Sequence, residues 1–155
     1  MTDRIALAHE LATQLSPVSR AWLQLADRIL GSLAISNSAG WALVHLQRLD
    51  SGDAGKGARQ GDLARAIGIT EASLVRTVQQ LERAGLVERQ PDEDDRRANR
   101  LHLTAEGSAL ARKADERLID LRIELLEGVS DADLAVAVGL LDRIAARAAD
   151  MRGRS

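Results

Sequence analysis

Apolar residues recur every three or four positions over most of this chain, which is the period of a helix face. From about Thr2 to Gly31 they fall at Leu7, Leu11, Leu15, Val18, Trp22, Leu25 and Ile29, marking one long helix with Pro17 as a candidate kink or break. Ser36, Asn37 and Ser38 are cap-type residues, and a second helix follows through Trp41, Val44 and Leu49. Asp50 to Ala58 has the composition of a loop. Two short helices, about Gly61–Ile67 and Glu71–Ala84, are separated by a turn at Gly68. Leu86–Gln90 and Asn99–Leu103 read as strands around the polar loop Pro91–Ala98. Thr104 is placed as the N-cap of a helix of roughly 24 residues, about 35 Å long. That helix carries Leu110, Ala114, Leu118, Leu121 and Leu125 on one face and ends at Gly128. Ser130-Asp131-Ala132-Asp133 has capping-box-like spacing and opens a last helix bearing Leu134, Val138, Leu141 and Ala145. The expected order is α-α-α-α-β-β-α-α: a mainly α fold with one small β-hairpin.

Gln60–Gln79 carries the sharpest local signal. Leu63 and Ile67 face inward from the first short helix, and Ala64 is small where a second helix would cross closely. Gly68 can take the positive φ that a tight inter-helix turn requires. Ile69 is expected to plug the corner and Thr70 to cap the next helix, which Leu74, Val78 and Leu81 seat on the first. The other face is expected to show Ser73, Arg76, Thr77 and Gln80, side chains able to bond base edges and phosphates. This is the pattern of a helix-turn-helix that binds double-stranded DNA; an ordinary helical hairpin with a solvated face fits the same positions.

Charge changes that picture little. The chain of 155 residues has a net charge of −2 and a pI near 5.9. Between Lys56 and Arg100 nine basic side chains meet eight acidic ones, so the basic bias of the DNA-reading segment is slight. That weak bias keeps a protein-interaction module without DNA binding as the alternative. Composition says more about packing and chemistry. There is no Phe or Tyr and only two Trp, so Leu, Ala, Val and Ile must fill a core suited to helix-on-helix packing. The absence of cysteine excludes disulfides, thiolate metal sites and thiol redox chemistry. His9, His45 and His102 lack metal-ligand spacing, so no metal or cofactor is expected. The glycine-rich Gly52–Gly57 lacks the lysine-serine/threonine of a phosphate loop and follows no strand. With no nucleophile–base set or paired carboxylates, an enzyme is not expected. The N-terminus has no uninterrupted apolar core and no stretch is long enough to span a membrane, so a cytoplasmic protein is expected.

Leu86–Gly107, LVERQPDEDDRRANRLHLTAEG, widens the signal. A helix ending in LERAGLVER, then a charged hairpin, then LHLTAEG, resembles the MarR family of bacterial winged helix-turn-helix regulators, and the likeness extends over nearly the whole chain. It implies a homodimer, with 1–35 and 105–155 as a helical dimerisation region around a DNA-binding lobe at 36–104. Each subunit would present one recognition helix to the major groove and one wing to the minor groove of a palindromic operator. In the family an Asp-x-Arg in the wing places the arginine at the minor groove while the aspartate holds it. Asp95-Arg96-Arg97 fits that pattern, pairing Asp95 with Arg97, and Asp94-Asp95-Arg96 is a competing register. The hairpin could equally be a solvated charged turn. The resemblance also implies a ligand-responsive repressor with a small-molecule effector, often aromatic or anionic, for which Trp22, Trp41 and His45 are candidate pocket residues. Both tryptophans also fit as plain core residues at helical spacing, and His45 as a satisfied or surface histidine.

Overall fold

The computed structural model describes residues 3–52, 55–95 and 97–153. Its elements are α1 (Arg4–Gly31), α2 (Asn37–Gly52), β1 (Ala58–Arg59), α3 (Gln60–Ile67), α4 (Glu71–Arg83), β2 (Val87–Pro91), β3 (Asn99–Leu103), α5 (Ala105–Leu125) and α6 (Asp131–Arg152). The expected mainly α fold with a hairpin is present, with two differences. Asp50, Ser51 and Gly52 continue α2 rather than opening a loop, and Ala58–Arg59 form a third strand. The sheet order is β1-β3-β2, antiparallel throughout, with Ala58 opposite Leu101 and Val87 opposite Leu103. Two residues are too few to show a period, so no alternation could have revealed β1. Pro17 lies inside α1, which runs on without a break.

The chain divides into two compact units, Met1–Leu121 and Arg122–Ser155, and the boundary falls within α5. In the first unit, one buried cluster joins α2, α3, α4, the sheet and the start of α5 through Leu43, Leu46, Leu63, Leu74, Val78, Leu101 and Ala111. A second cluster brings Ala26 and Leu30 of α1 against Val44 of α2 and Ala114 and Leu118 of α5. Close approach at this seam needs Gly40, since a Cβ there would lie 3.1 Å from Leu30 side-chain carbons. The run Leu103-Thr104-Ala105-Glu106-Gly107 has an equally direct cause. The Thr104 hydroxyl donates to Gly85 O at 2.7 Å and accepts from Gly107 N at 3.0 Å, and Thr104 N donates to Leu86 O at 3.1 Å. Gly107 packs so closely on the Leu86 carbonyl that a Cβ has no room. The wing's base and the start of α5 are thereby locked together.

The apolar stripe of α1 is covered only near its C-terminal end. Ala26 and Leu30 are buried, whereas Ile5, Leu7, Leu11, Leu15 and Val18 are exposed. In the second unit Gly128 takes the left-handed conformation (φ 78°), Ser130 Oγ caps α6 by accepting from Asp133 N at 3.1 Å, and no residue of α6 is buried. Val136, Val138, Leu141, Ile144 and Met151 are all exposed.

Candidate nucleic-acid interface and effector cleft

The helix-turn-helix is built as its residue types require. Gly68 closes α3 at φ 84°, its N–H bonding to Ala64 O at 2.9 Å, and Ile69 N reaches the same carbonyl at 3.0 Å. Thr70 Oγ1 then accepts from Ser73 N at 3.2 Å, starting α4. Leu74, Val78 and Leu81 seat α4 with almost no exposure. Ser73, Arg76 and Gln80 lie on the exposed surface as expected. Thr77 does not: it is 6% exposed, because positions three after Leu74 and four before Leu81 share their face. Ile69 also departs from expectation, lying 39% exposed beside the turn instead of filling the corner. Ser73 Oγ is 2.8 Å from Thr70 Oγ1, so its hydroxyl belongs to the cap. Arg76 has no ion pair among the described residues and is the unengaged cation of the strip.

The wing is held by a residue that the sequence reading did not single out. Asp92, 2% exposed, sits where β2 gives way to the hairpin loop. Its Oδ2 accepts from Arg59 Nη2 at 2.8 Å and from Arg100 Nε at 3.1 Å, while its Oδ1 accepts from Asp94 N at 2.9 Å. The Asp94 amide is the main cause that holds this carboxyl down at about 2; burial opposes it, and the two guanidinium groups reinforce it. Arg100 also donates to Gly57 O at 3.2 Å, so one carboxylate ties the wing to β1 and its approach loop. The pairing of Arg59 with Arg100 across β1 and β3 brings both guanidinium groups to Asp92, and a two-residue strand carries no pattern that announces it. Of the acidic run Asp92–Asp95, Asp92 is therefore neutralised internally; Glu93, Asp94 and Asp95 are exposed.

At the tip, Asp95 Oδ1 accepts from the backbone N–H of Arg97 at 3.0 Å, and Ala98 N donates to Asp95 O at 2.9 Å. The expected pairing of Asp95 with the Arg97 guanidinium is replaced by a side-chain-to-backbone turn. The contact is local because an aspartate reaches a backbone N–H two residues on more easily than a long arginine can fold back. Arg97 remains exposed. Arg96, the other proposed contact and the arginine of the competing register, lies outside the described residues.

A separate cleft of about 400 Å³ is lined by Leu23 and Asp27 of α1, Asn37, Ser38, Trp41 and His45 of α2, and Ile67 and Ile69 on either side of Gly68. Trp41 Nε1 donates to Asp27 Oδ1 at 2.9 Å, and the Trp41 and His45 rings lie 5.9 Å apart at 33°. Burial, helped by the Arg48 charge, lowers the His45 pKa and so favours the neutral ring. The structure thus brings together two of the three candidate pocket residues. Trp22 is half-buried and does not line this cleft.

The profile of the MarR family matches residues 36–98, from the start of α2 through the wing. Over a longer span the chain is 30% identical to the transcriptional regulator PA3341, with a TM-score of 0.82, covering 90% of this chain and 98% of that one. The chain belongs to the MarR family. CouR from Rhodococcus jostii RHA1, solved with p-coumaroyl-CoA bound, is 26% identical at a TM-score of 0.77, covering 90% of this chain and 94% of that one. MepR of S. aureus, solved in complex with DNA, shares the fold at 22% identity and a TM-score of 0.71, covering 85% and 91% of the two chains. This MarR-family protein is a DNA-binding transcriptional regulator with a winged helix-turn-helix. Among its described residues no helix is long and apolar enough to cross a membrane, and no group of His, Asp and Glu is placed to hold a metal ion.

Proposed function

We propose that this MarR-family regulator is a ligand-responsive repressor that binds a palindromic operator as a homodimer. The carrying observation is α4: one side is buried in the core, and the other presents the unengaged Arg76 beside Ser73 and Gln80. Arg76 would read bases in the major groove, with Ser73 and Gln80 at its flanks, and the wing would set Arg97 at the minor groove. Dimerisation is supported by the uncovered apolar side chains of α1 and, independently, of α6. Neither helix would leave so much aliphatic surface in water without a partner, and a second copy would cover both. In this reading 1–35 and 105–155 serve dimerisation and 36–104 DNA binding, and the protein acts as a regulator rather than an enzyme.

The effector would enter the Trp41–His45 cleft. That cleft touches α1, α2 and both residues flanking the Gly68 turn, so an occupant would push directly on the joint that aims α4. The relative that binds p-coumaroyl-CoA supports a small-molecule effector for this chain too. Selection of bound fragments from random duplex DNA tests the operator-binding reading. It should enrich an inverted repeat, and Arg76→Ala should weaken the enrichment and relax the preference at the base it reads. Recovery of no preferred sequence by the folded wild-type dimer would overturn the proposal and leave a protein-interaction module.

A further inference from the structure

We propose that the Trp41 cleft selects a small cationic aromatic molecule, an aryl-alkylamine, over an aromatic carboxylate; this rests on the effector reading above. The cleft's charge is one-sided. Among the described residues lining it, Asp27 is the sole formally charged side chain apart from the titratable His45, and none is lysine or arginine. Burial and the Arg48 charge both disfavour a positive charge on His45. The nearest guanidinium along α2, that of Arg48, is engaged with Asp115 at 2.9 Å.

Asp27 is half-buried and spends one oxygen on the Trp41 indole N–H at 2.9 Å. An ionised carboxylate offers about four lone-pair sites, so acceptor capacity remains for an ammonium group. The indole N–H bond fixes the ring of Trp41, whose face can attract the same cation. Leu23, Ile67 and Ile69 supply the apolar surface that an aryl group needs, and 400 Å³ is a volume suited to a small ligand. A ligand carboxylate placed there would face Asp27 with no compensating cation, a like-charge contact that costs more as the site closes over it.

The test uses the full-length protein carrying Trp22→Phe. Trp41 is then the sole tryptophan of a chain that has no tyrosine, so its fluorescence reports cleft occupancy. Phenethylamine, phenethyl alcohol and hydrocinnamate present similar aryl groups with positive, neutral and negative tails. Phenethylamine should bind at least about tenfold more tightly than hydrocinnamate. Asp27→Asn keeps an oxygen to accept from Trp41 and should erase that preference while changing phenethyl alcohol binding far less than phenethylamine binding. Equal or tighter binding of hydrocinnamate, or a preference that survives Asp27→Asn, overturns the charge selection while the effector reading stands. No response of Trp41 to any of the three at millimolar concentration, with operator affinity also unaltered, overturns both.

Discussion

Asp95 offers two substitutions that separate its charge from its hydrogen bond. Its Oδ1 accepts from Arg97 N at 3.0 Å and so fixes the backbone from which the proposed minor-groove arginine projects. Losing such a bond costs about 0.5–1.5 kcal/mol. Freeing one residue's backbone before docking adds a cost of the same order, about 1–2 kcal/mol. Against this, removing a negative charge about 10 Å from a phosphate gains only about 0.4 kcal/mol in water, and less once salt screens it. Asp95→Ala should therefore weaken operator binding, roughly 2- to 13-fold from the hydrogen bond alone. Asp95→Asn retains an oxygen acceptor and sheds the charge, so it should bind as well as wild type or slightly tighter. Fluorescence anisotropy with a labelled operator at several salt concentrations measures both, and Arg97→Ala beside them should lower the salt slope by about one ion. If Asn and Ala weaken binding equally, the charge of Asp95 matters more than its hydrogen bond, and the backbone account fails.

Three other outcomes follow from the geometry. Arg76→Ala should cost about 1–3 kcal/mol of specific binding, read as the ratio of operator to random-DNA affinity; an equal loss on both would make Arg76 a phosphate contact. The Asp92 carboxyl is depressed to about 2, so its ion pairs should persist below the ordinary carboxylate range and be lost only as the pH falls through about 2. The side-chain carboxyl carbon resonance of Asp92 should accordingly stay fixed from pH 8 down to about 4, and a midpoint near 4 for that carbon would show the pairing to be absent. Sedimentation at micromolar concentration should give a dimer, with the exposed stripes of α1 and α6 covered; a folded monomer would refute the interface.

The elements were legible where caps and periodicity act locally. Thr70, Gly68, Thr104 and Ser130 each do what their side-chain chemistry suggests, since a cap needs only neighbours two or three residues away. The long helices were equally plain, though their stripes could not show which apolar positions this chain covers for itself. Thr77 is polar yet buried, because its spacing from Leu74 and Leu81 decides its face and its hydroxyl does not. Asp92 was missed because its partners lie 33 and 8 residues away, one of them on a strand too short to read. The cleft was half legible. Trp41 and His45 share a helix face, one turn apart, but their junction with Asp27 and Ile69 depends on how α1 and the Gly68 turn pack around α2.

Hydroxyl-radical footprinting on a selected operator tests the central claim most directly, because it reads symmetry, groove and spacing together. A dimer using α4 and the wing should protect two half-sites related by a twofold axis, their centres about one helical turn or roughly 34 Å apart. Minor-groove protection should flank each half-site and vanish with Arg97→Ala. A single asymmetric patch, protected by one subunit and indifferent to both Arg76→Ala and Arg97→Ala, would contradict the account.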